Sequence, residues 1–565
     1  MASSNCCPAA GSGRPVSLSK TTTFVAGSLF GLDAGRWTIG YHEKIEASIS
    51  IQTVQKTTMA TKGFLGIDAG TQGLSVIFTG ENLDVIATGD GSYGMIPGLE
   101  EGAYEQLPGD WDAALVSAMA DLRAKLPTNI EVLAIGISGQ MHGEVLADAD
   151  GNSLGPARLW CDSRNETEGN ELTEAFGVKM PKRITAARWL WTIRNRKPVA
   201  SKAVHMTTPA GWLAYRLTGQ WNLGVGDASG MFPIDQSTLD YDKNLIEQFD
   251  KLVNGPVALE SLLPKVRQVG EDGGTLDKTG ADLLGLPAGV PVAPAEGDQP
   301  ASLAGSLIGS AGMVSCSFGT SVCANSVGDR AFKGVSAAVD HFCAPDGKPI
   351  NMIFLRNGTT YMNSIVEMFG EAIGGDRDAG FAATMPKVLE AEPDCGGLLA
   401  LPFMDDEPGL GVSVGGSAMI VGLNSENAKP GNAAKAALLS TMFNLKLGSA
   451  VLDSQDYPRT ELVLSGGLTK TPELAQVLAN VFAMKVTLLA SAEEGCAWGA
   501  ALMAKFRHQK IGGQTIEWSE FLSQYKRASQ TQFEPEPDKV EQYETVFQRY
   551  KKLLASHQQI EEALS

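Results

Sequence analysis

Several short stretches of this chain set turn residues beside groups that can do chemistry. Asp68-Ala-Gly70-Thr71-Gln72 directly follows the apolar run "GFLGI". A turn that holds phosphate needs backbone N–H groups facing the anion, a hydroxyl beside them and no bulky side chain in the way. Phe318-Gly319-Thr320-Ser321 repeats the Gly-Thr corner. Two such corners can grip phosphates from opposite sides, with Thr71, Gln72, Gly319 and Thr320 as donors. Asp68 ends its strand at the first corner, where a carboxylate can meet Mg2+ directly or through water. Gly466-Gly467 permit close backbone approach, so adenosine and an α-phosphate can lie against them. Lys470 follows, either near that nucleotide or solvated. Each corner also has a plain alternative, because Asp, Gly and Thr are turn residues in their own right.

Two further stretches offer side chains to a substrate. Asp298 sits in a Gly-bounded turn after "VPVAPAEG", a good place for a carboxylate at a strand's end; its alternative is an N-cap on a helix beginning near Pro300. His142, in "SGQMHG", either packs or faces a ligand from a loop after a buried strand. Met141 is open between the same two roles. Asp227 in "GVGDASGMF" is a second candidate base, and "RWLWTIRNRK" (188–197) interleaves aromatic and basic residues as single-strand nucleic-acid binders do. Its helical spacing favours an amphipathic helix.

The elements that must position these residues alternate in type. A strand hairpin ("GFLGIDAG", "LSVIF") precedes an amphipathic helix at about 111–126 and an apolar strand at 132–138. The pattern returns as a hairpin at 312–326 and a strand at 461–470 leading into the helix "PELAQVLANVFA". Strands alternating with helices predict an α/β fold, and the two matching hairpins predict a duplication with its boundary near 303–311. The expected parts are a leader at 1–58, domains at 59–306 and 307–555, and a tail at 556–565.

Composition limits the partners. The chain has 565 residues, too long for one core, and a formal net charge of -19, which opposes binding to nucleic acid or to an anionic membrane surface. Its 64 glycines exceed the roughly 7% of ordinary proteins, which suggests many tight turns and close approaches. The eight cysteines lack the paired spacings of a zinc site or disulfide framework, so they read as reduced. There is no apolar run long enough to span a membrane. Residues 1–32 lack Asp and Glu, as a transit peptide would, or are a plain extension. "LFGLDAGRWTIG" in this leader imitates the first corner but continues into Arg36-Trp37, and reads as a chance likeness.

Taken in order, the motifs from Asp68 through "EGDQPASLAG" (296–305), "FGTS", "LSGGLTK" and "EEGCAWGAALMA" (493–504) resemble the FGGY carbohydrate kinases over about 63–549. That resemblance implies two related domains of the actin-like ATPase, ribonuclease H-like fold, with ATP and Mg2+ as cofactors. "SGQMHG" resembles the sugar-site motif of xylulokinases and some sedoheptulokinases; "LWCDSR" resembles their next segment, with Cys161 where Asn is more usual. The resemblance makes Asp298 the base that takes the proton of a sugar hydroxyl, Gln299 a sugar-binding amide, and Gln140, Met141 and His142 substrate contacts. It gives Asp227 a structural or peripheral role. The implied reaction is phosphorylation of a ketose, D-xylulose to its 5-phosphate first, with sedoheptulose or ribulose as alternatives. A catalytically silent, nucleotide-gated sensor is the rival reading, against which the presence of Asp68, Thr71 and Asp298 argues. A homodimer stays open. The expected compartment is the cytoplasm, or a plastid or mitochondrion if the leader is a transit peptide.

Overall fold

The computed structural model describes residues 60–127, 129–488, 495–525 and 531–564. The leader, its imitation corner, Cys6, Cys7 and the Glu493-Glu494 start of the last motif lie outside the described residues.

In the first half, strand Thr61–Ala69 buries Leu65, Ile67 and Ala69 and turns back through Gly70–Thr71–Gln72 into Gly73–Gly80. The Gly70 N–H closes this hairpin on Gly73 O at 2.9 Å. Val85–Ser92 extends the sheet on one side; on the other, Ile130–Gly139 and then Glu296–Gly297 add as parallel strands. Helix Pro108–Lys125 lays Trp111, Leu115, Met119 and Leu122 on this sheet, at the helical spacing that its sequence displays.

The second half repeats the arrangement. Met313–Phe318 pairs antiparallel with Val322–Val327, which pairs with Pro349–Leu355, while Glu461–Gly466 and Lys485–Leu488 add in parallel on the far side of the first strand. With Val339–Cys343 and Thr531–Phe533 set aside as additions at the two edges of the second sheet, both sheets run third, second, first, fourth, fifth strand. The expected α/β fold with a duplicated sheet is what the chain forms.

Helix Gly495–Ile511 belongs by sequence to the second half but packs against the first sheet. Ala497, Ala500, Ala501 and Ala504 share a core with Phe64, Ile77 and Ala134. Small residues on the helix let it lie close to the strands, and Arg507 adds an ion pair to Asp272 at 2.7 Å.

The 188–197 segment does form a helix, Thr185–Asn195, but Arg188 is fully buried rather than on a wet face. Its guanidinium donates to the carbonyls of Leu159 (2.9 Å) and Trp160 (2.8 Å), which removes it from any nucleic-acid surface. The helix after Gly466-Gly467 begins at Leu474, because Gly467–Lys470 first makes a 3-10 turn. Residues set aside as a tail include helix His557–Leu564, with His557 buried and bonded to Ser417 at 2.7 Å. Among the described residues, Cys161, Cys316, Cys323, Cys343, Cys395 and Cys496 form no disulfide. No helix among the described residues is long and apolar enough to cross a membrane.

Candidate active site

Register fixes where the first half's chemistry lies. Asp68 stands opposite Ser138, and Ser138 opposite Glu296; one residue on, Ala69, Gly139 and Gly297 form the next row. The three strands are parallel, so Gly70-Thr71, Gln140-Met141-His142 and Asp298-Gln299 all leave one edge of the sheet, as ligand-binding loops of such sheets do. In the second sheet Phe318 stands opposite Gly466, so Gly319-Thr320 and Gly467 leave that sheet side by side.

Asp298 is the first residue of helix Asp298–Gly305, whose N-cap is Gly297, so the capping alternative does not hold. Its Oδ1 instead accepts from the N–H of Gln299 at 2.8 Å. Burial, then the negative charge of Asp68, push its pKa up to about 7, offset in part by N–H groups of Gln299 and Met141. A carboxyl poised there is half ionised near neutrality, which suits a general base. Burial also raises Asp68 above the usual carboxylate range, against the Ser138 hydroxyl that donates to its Oδ1 at 2.8 Å. The two buried carboxyls lie near enough for the charge of Asp68 to raise Asp298, a repulsion that a divalent cation would relieve. No group of three or more ligating side chains that could hold a metal exists among the described residues. Asp68 thus suits Mg2+ that keeps waters and phosphate oxygens as its other ligands.

His142 adopts φ 64°, unusual for a residue with a Cβ and frequent at functional sites. Its Nδ1 lies 2.9 Å from Gly230 O, an acceptor, so Nδ1 carries the hydrogen and Nε2 is left to accept one. Burial, then the charge of Arg183, lower its pKa to about 3, so the ring is neutral at physiological pH. Met141 packs with Leu303, Phe342 and Val463 in a core shared by both halves. Gln140, 1% exposed, is bonded to Gln106 at 2.9 Å and lies near Gly70 O and the Thr71 hydroxyl, so its amide braces the first corner. Gln299 Oε1 accepts from Asn325 of the second half at 3.1 Å, which leaves its NH2 to donate elsewhere.

The corners are braced differently. Thr71 O accepts from Gln106 (2.7 Å), Thr71 Oγ1 from Trp160 (3.0 Å), and Tyr93 OH bonds Gly73 O (3.0 Å). Gln72 is exposed. At the second corner Gly319 O and Thr320 O accept from the N–H groups of Thr359 and Gly358 at 2.8 and 2.9 Å, and the Thr320 side chain is exposed. Gly466 needs its glycine: φ is 84°, and a Cβ would lie 2.7 Å from Phe318 O. Gly467 and Lys470 are exposed beside it. The supports Gln106, Tyr93 and Asn325 carry no motif and were not foreseeable from spacing, while Trp160 lies in "LWCDSR" without a role having been read for it; Asp227, read as structural or peripheral, is buried close enough to Asp298 for its charge to matter.

Residues 64–305 match the N-terminal domain of the FGGY family of carbohydrate kinases, and residues 314–507 match the C-terminal domain. The chain is 26% identical over 460 residues to the xylulose kinase of Haemophilus influenzae, covering 78% of this chain and 90% of that one. Among solved structures, the xylulose kinase of Rhodospirillum rubrum aligns with TM-score 0.76 at 20% identity, covering 88% of this chain and 99% of that one. The gluconate kinase of Lactobacillus acidophilus aligns with TM-score 0.75 at 19% identity, covering 88% and 98%. These two show a common fold and no more. With family matches over both halves and a pair of carboxyls at the sheet edge, the chain belongs to the FGGY family of carbohydrate kinases.

Proposed function

We propose that the protein transfers the γ-phosphoryl group of ATP to a ketose, D-xylulose giving D-xylulose 5-phosphate, with Asp298 as general base. The observation that carries this reading is the Asp298 carboxyl, held at a pKa of about 7 on the sheet edge that also presents Asp68 and His142.

Ionised Asp298 takes the proton of the sugar hydroxyl as that oxygen bonds to the γ-phosphorus; the bond from phosphorus to the β–γ bridging oxygen breaks and ADP leaves with its electron pair. Asp68 would hold Mg2+, directly or through water, and the ion would supply charge neutralisation at the phosphates. Thr71 and Thr320, with the backbone of Gln72 and Gly319, bind phosphate oxygens from the two sheets. Gly466 and Gly467 give the nucleotide a flat backbone surface, and Lys470 lies within its neighbourhood. Neutral His142 accepts a sugar hydroxyl at Nε2, and Gln299 donates to another. Gln140 and Met141 shape the pocket wall. Closing the halves excludes water, which would otherwise compete as acceptor.

The test is ADP release by the full chain with Mg·ATP and a panel of D-xylulose, D-ribulose, sedoheptulose and gluconate. The highest kcat/KM is expected with D-xylulose. A higher value with another acceptor reassigns the substrate, and no turnover with any of them favours the nucleotide-gated sensor. Unchanged turnover in Asp298→Ala removes the base assignment.

A further inference from the structure

Glu296 stands two residues before the base, and its side chain is 1% exposed. Its carboxylate reaches across to the start of helix Val225–Met231, where Oε1 accepts from Gly226 N–H at 3.2 Å and Oε2 from Asp227 N–H at 2.8 Å. The socket exists because two residues have no side chain: a Cβ at Gly224 would lie 2.2 Å from Oε1, and one at Gly226 would lie 2.5 Å from Oε2. A third bond, Gly224 N–H to Ala295 O at 2.7 Å, ties the same two segments.

Asp227 completes the contact. It is fully buried, its Oδ2 accepts from the Thr208 hydroxyl at 2.6 Å, and its Oδ1 has no hydrogen-bond partner. That oxygen faces the strand end, since a Cβ on Gly297 would lie 3.1 Å from it and 2.1 Å from Met141 Cγ. The far end of the same helix offers Gly230 O to His142 Nδ1. One short helix therefore touches the segment that carries the base and also the imidazole at the sheet edge.

We propose that Glu296, seated in the socket of Gly224, Gly226 and Asp227, is a positioning residue that fixes the direction in which Asp298 leaves the sheet. The inference rests on the kinase reading above. Glu296 touches neither sugar nor nucleotide; it holds the strand end, and misplacing a reacting group by about 1 Å costs on the order of 100-fold in rate. Burial and the neighbouring Asp227 raise Glu296 well above the usual carboxylate range, as expected for two acids enclosed together.

The test compares wild type, Glu296→Gln, Asp298→Asn and the double variant, assayed with D-xylulose and Mg·ATP. The glutamine keeps the size but turns an NH2 group toward a backbone N–H. Glu296→Gln should lower kcat by on the order of 10- to 100-fold with KM for Mg·ATP within about twofold of wild type. It should lower the residual rate of Asp298→Asn little further, because both act through one carboxyl. A kcat within about twofold of wild type, a loss spread equally over kcat and both KM values, or full additivity with Asp298→Asn overturns the inference. If Glu296→Gln does not fold, Gly226→Ala, which keeps the carboxylate but fills its socket, is read by the same criteria. Wild-type turnover with an unaffected variant sinks this inference alone; no wild-type turnover on any acceptor sinks the kinase reading and this inference with it.

Discussion

Asp68 and Ser317 occupy the same place in two sheets of the same strand order, each second from the end of the first strand and each opposite a serine on the fourth, Ser138 and Ser465. Beyond them lie the Gly-Thr corners, Gly70-Thr71 and Gly319-Thr320. The scaffold is duplicated and the chemistry is not. The first half carries the carboxylates Asp68 and Asp298 and the neutral His142, whereas the second carries Ser317, the exposed Thr320 and the glycines 466 and 467. An acid at every equivalent position would repel a triphosphate. On the proposed reading, acids on one side and backbone donors on the other would let one sheet hold cation and acceptor while the other holds nucleotide.

Breaking this asymmetry at the base has the largest expected effect. Asp298→Asn should lower kcat by about 10^3-fold, within the usual range for a general base, while leaving nucleotide affinity intact. The same variant should be more stable at neutral pH. A carboxyl whose folded pKa lies near 7 contributes stability that is present below its ordinary pKa and lost as pH rises to about 7, so removing it should raise Tm by a few degrees in thermal melts at pH 7.5.

Next is the pair at matched sheet positions. Asp68→Asn should lower kcat by about 100-fold, whereas Ser317→Ala should change it less than about threefold. Comparable losses in the two would show that the halves share the acid role. Removing the Asp68 charge should also favour ionised Asp298. The acid limb of the kcat profile, expected near pH 7 in wild type, should therefore move to lower pH in Asp68→Asn. An unmoved limb would place Asp68 too far from the base for the proposed arrangement.

A smaller effect is expected at the corners. Thr71→Val removes the hydroxyl that accepts from Trp160 and should raise KM for Mg·ATP by about tenfold, against about threefold for the exposed Thr320→Val. The mildest change in rate should come from Gly466→Ala. It forces a Cβ into a left-handed backbone against Phe318 O, lowers stability by about 1–3 kcal/mol in denaturant titration and weakens nucleotide binding more than sugar binding.

How far the sequence reached follows from the range of the forces involved. The hairpins were legible because apolar runs and turn residues act within a few positions, and the corners were legible for the same reason. The Asp298 capping alternative could not be settled that way, since only the built helix places the cap at Gly297. Met141 was undecided until packing put it in a core made from both halves. Helical spacing at 188–197 indicated an amphipathic helix but says nothing about the six carbonyls, of Leu159, Trp160, Asp162, Lys182, Arg183 and Ile184, that gather around buried Arg188.

By itself, then, the sequence determined that there are two similar sheets, which turns end their strands, and that Asp298 follows a strand end, because each of these is written in local pattern and order. Only the tertiary structure decided that Asp68 and Asp298 share one sheet edge, that Gln140 braces a corner, and that Glu296 finds its partners 70 residues upstream at Gly226. Those outcomes depend on parallel strands meeting across long connections, and on burial that shifts a carboxyl by removing water from it. No residue type or spacing encodes either one.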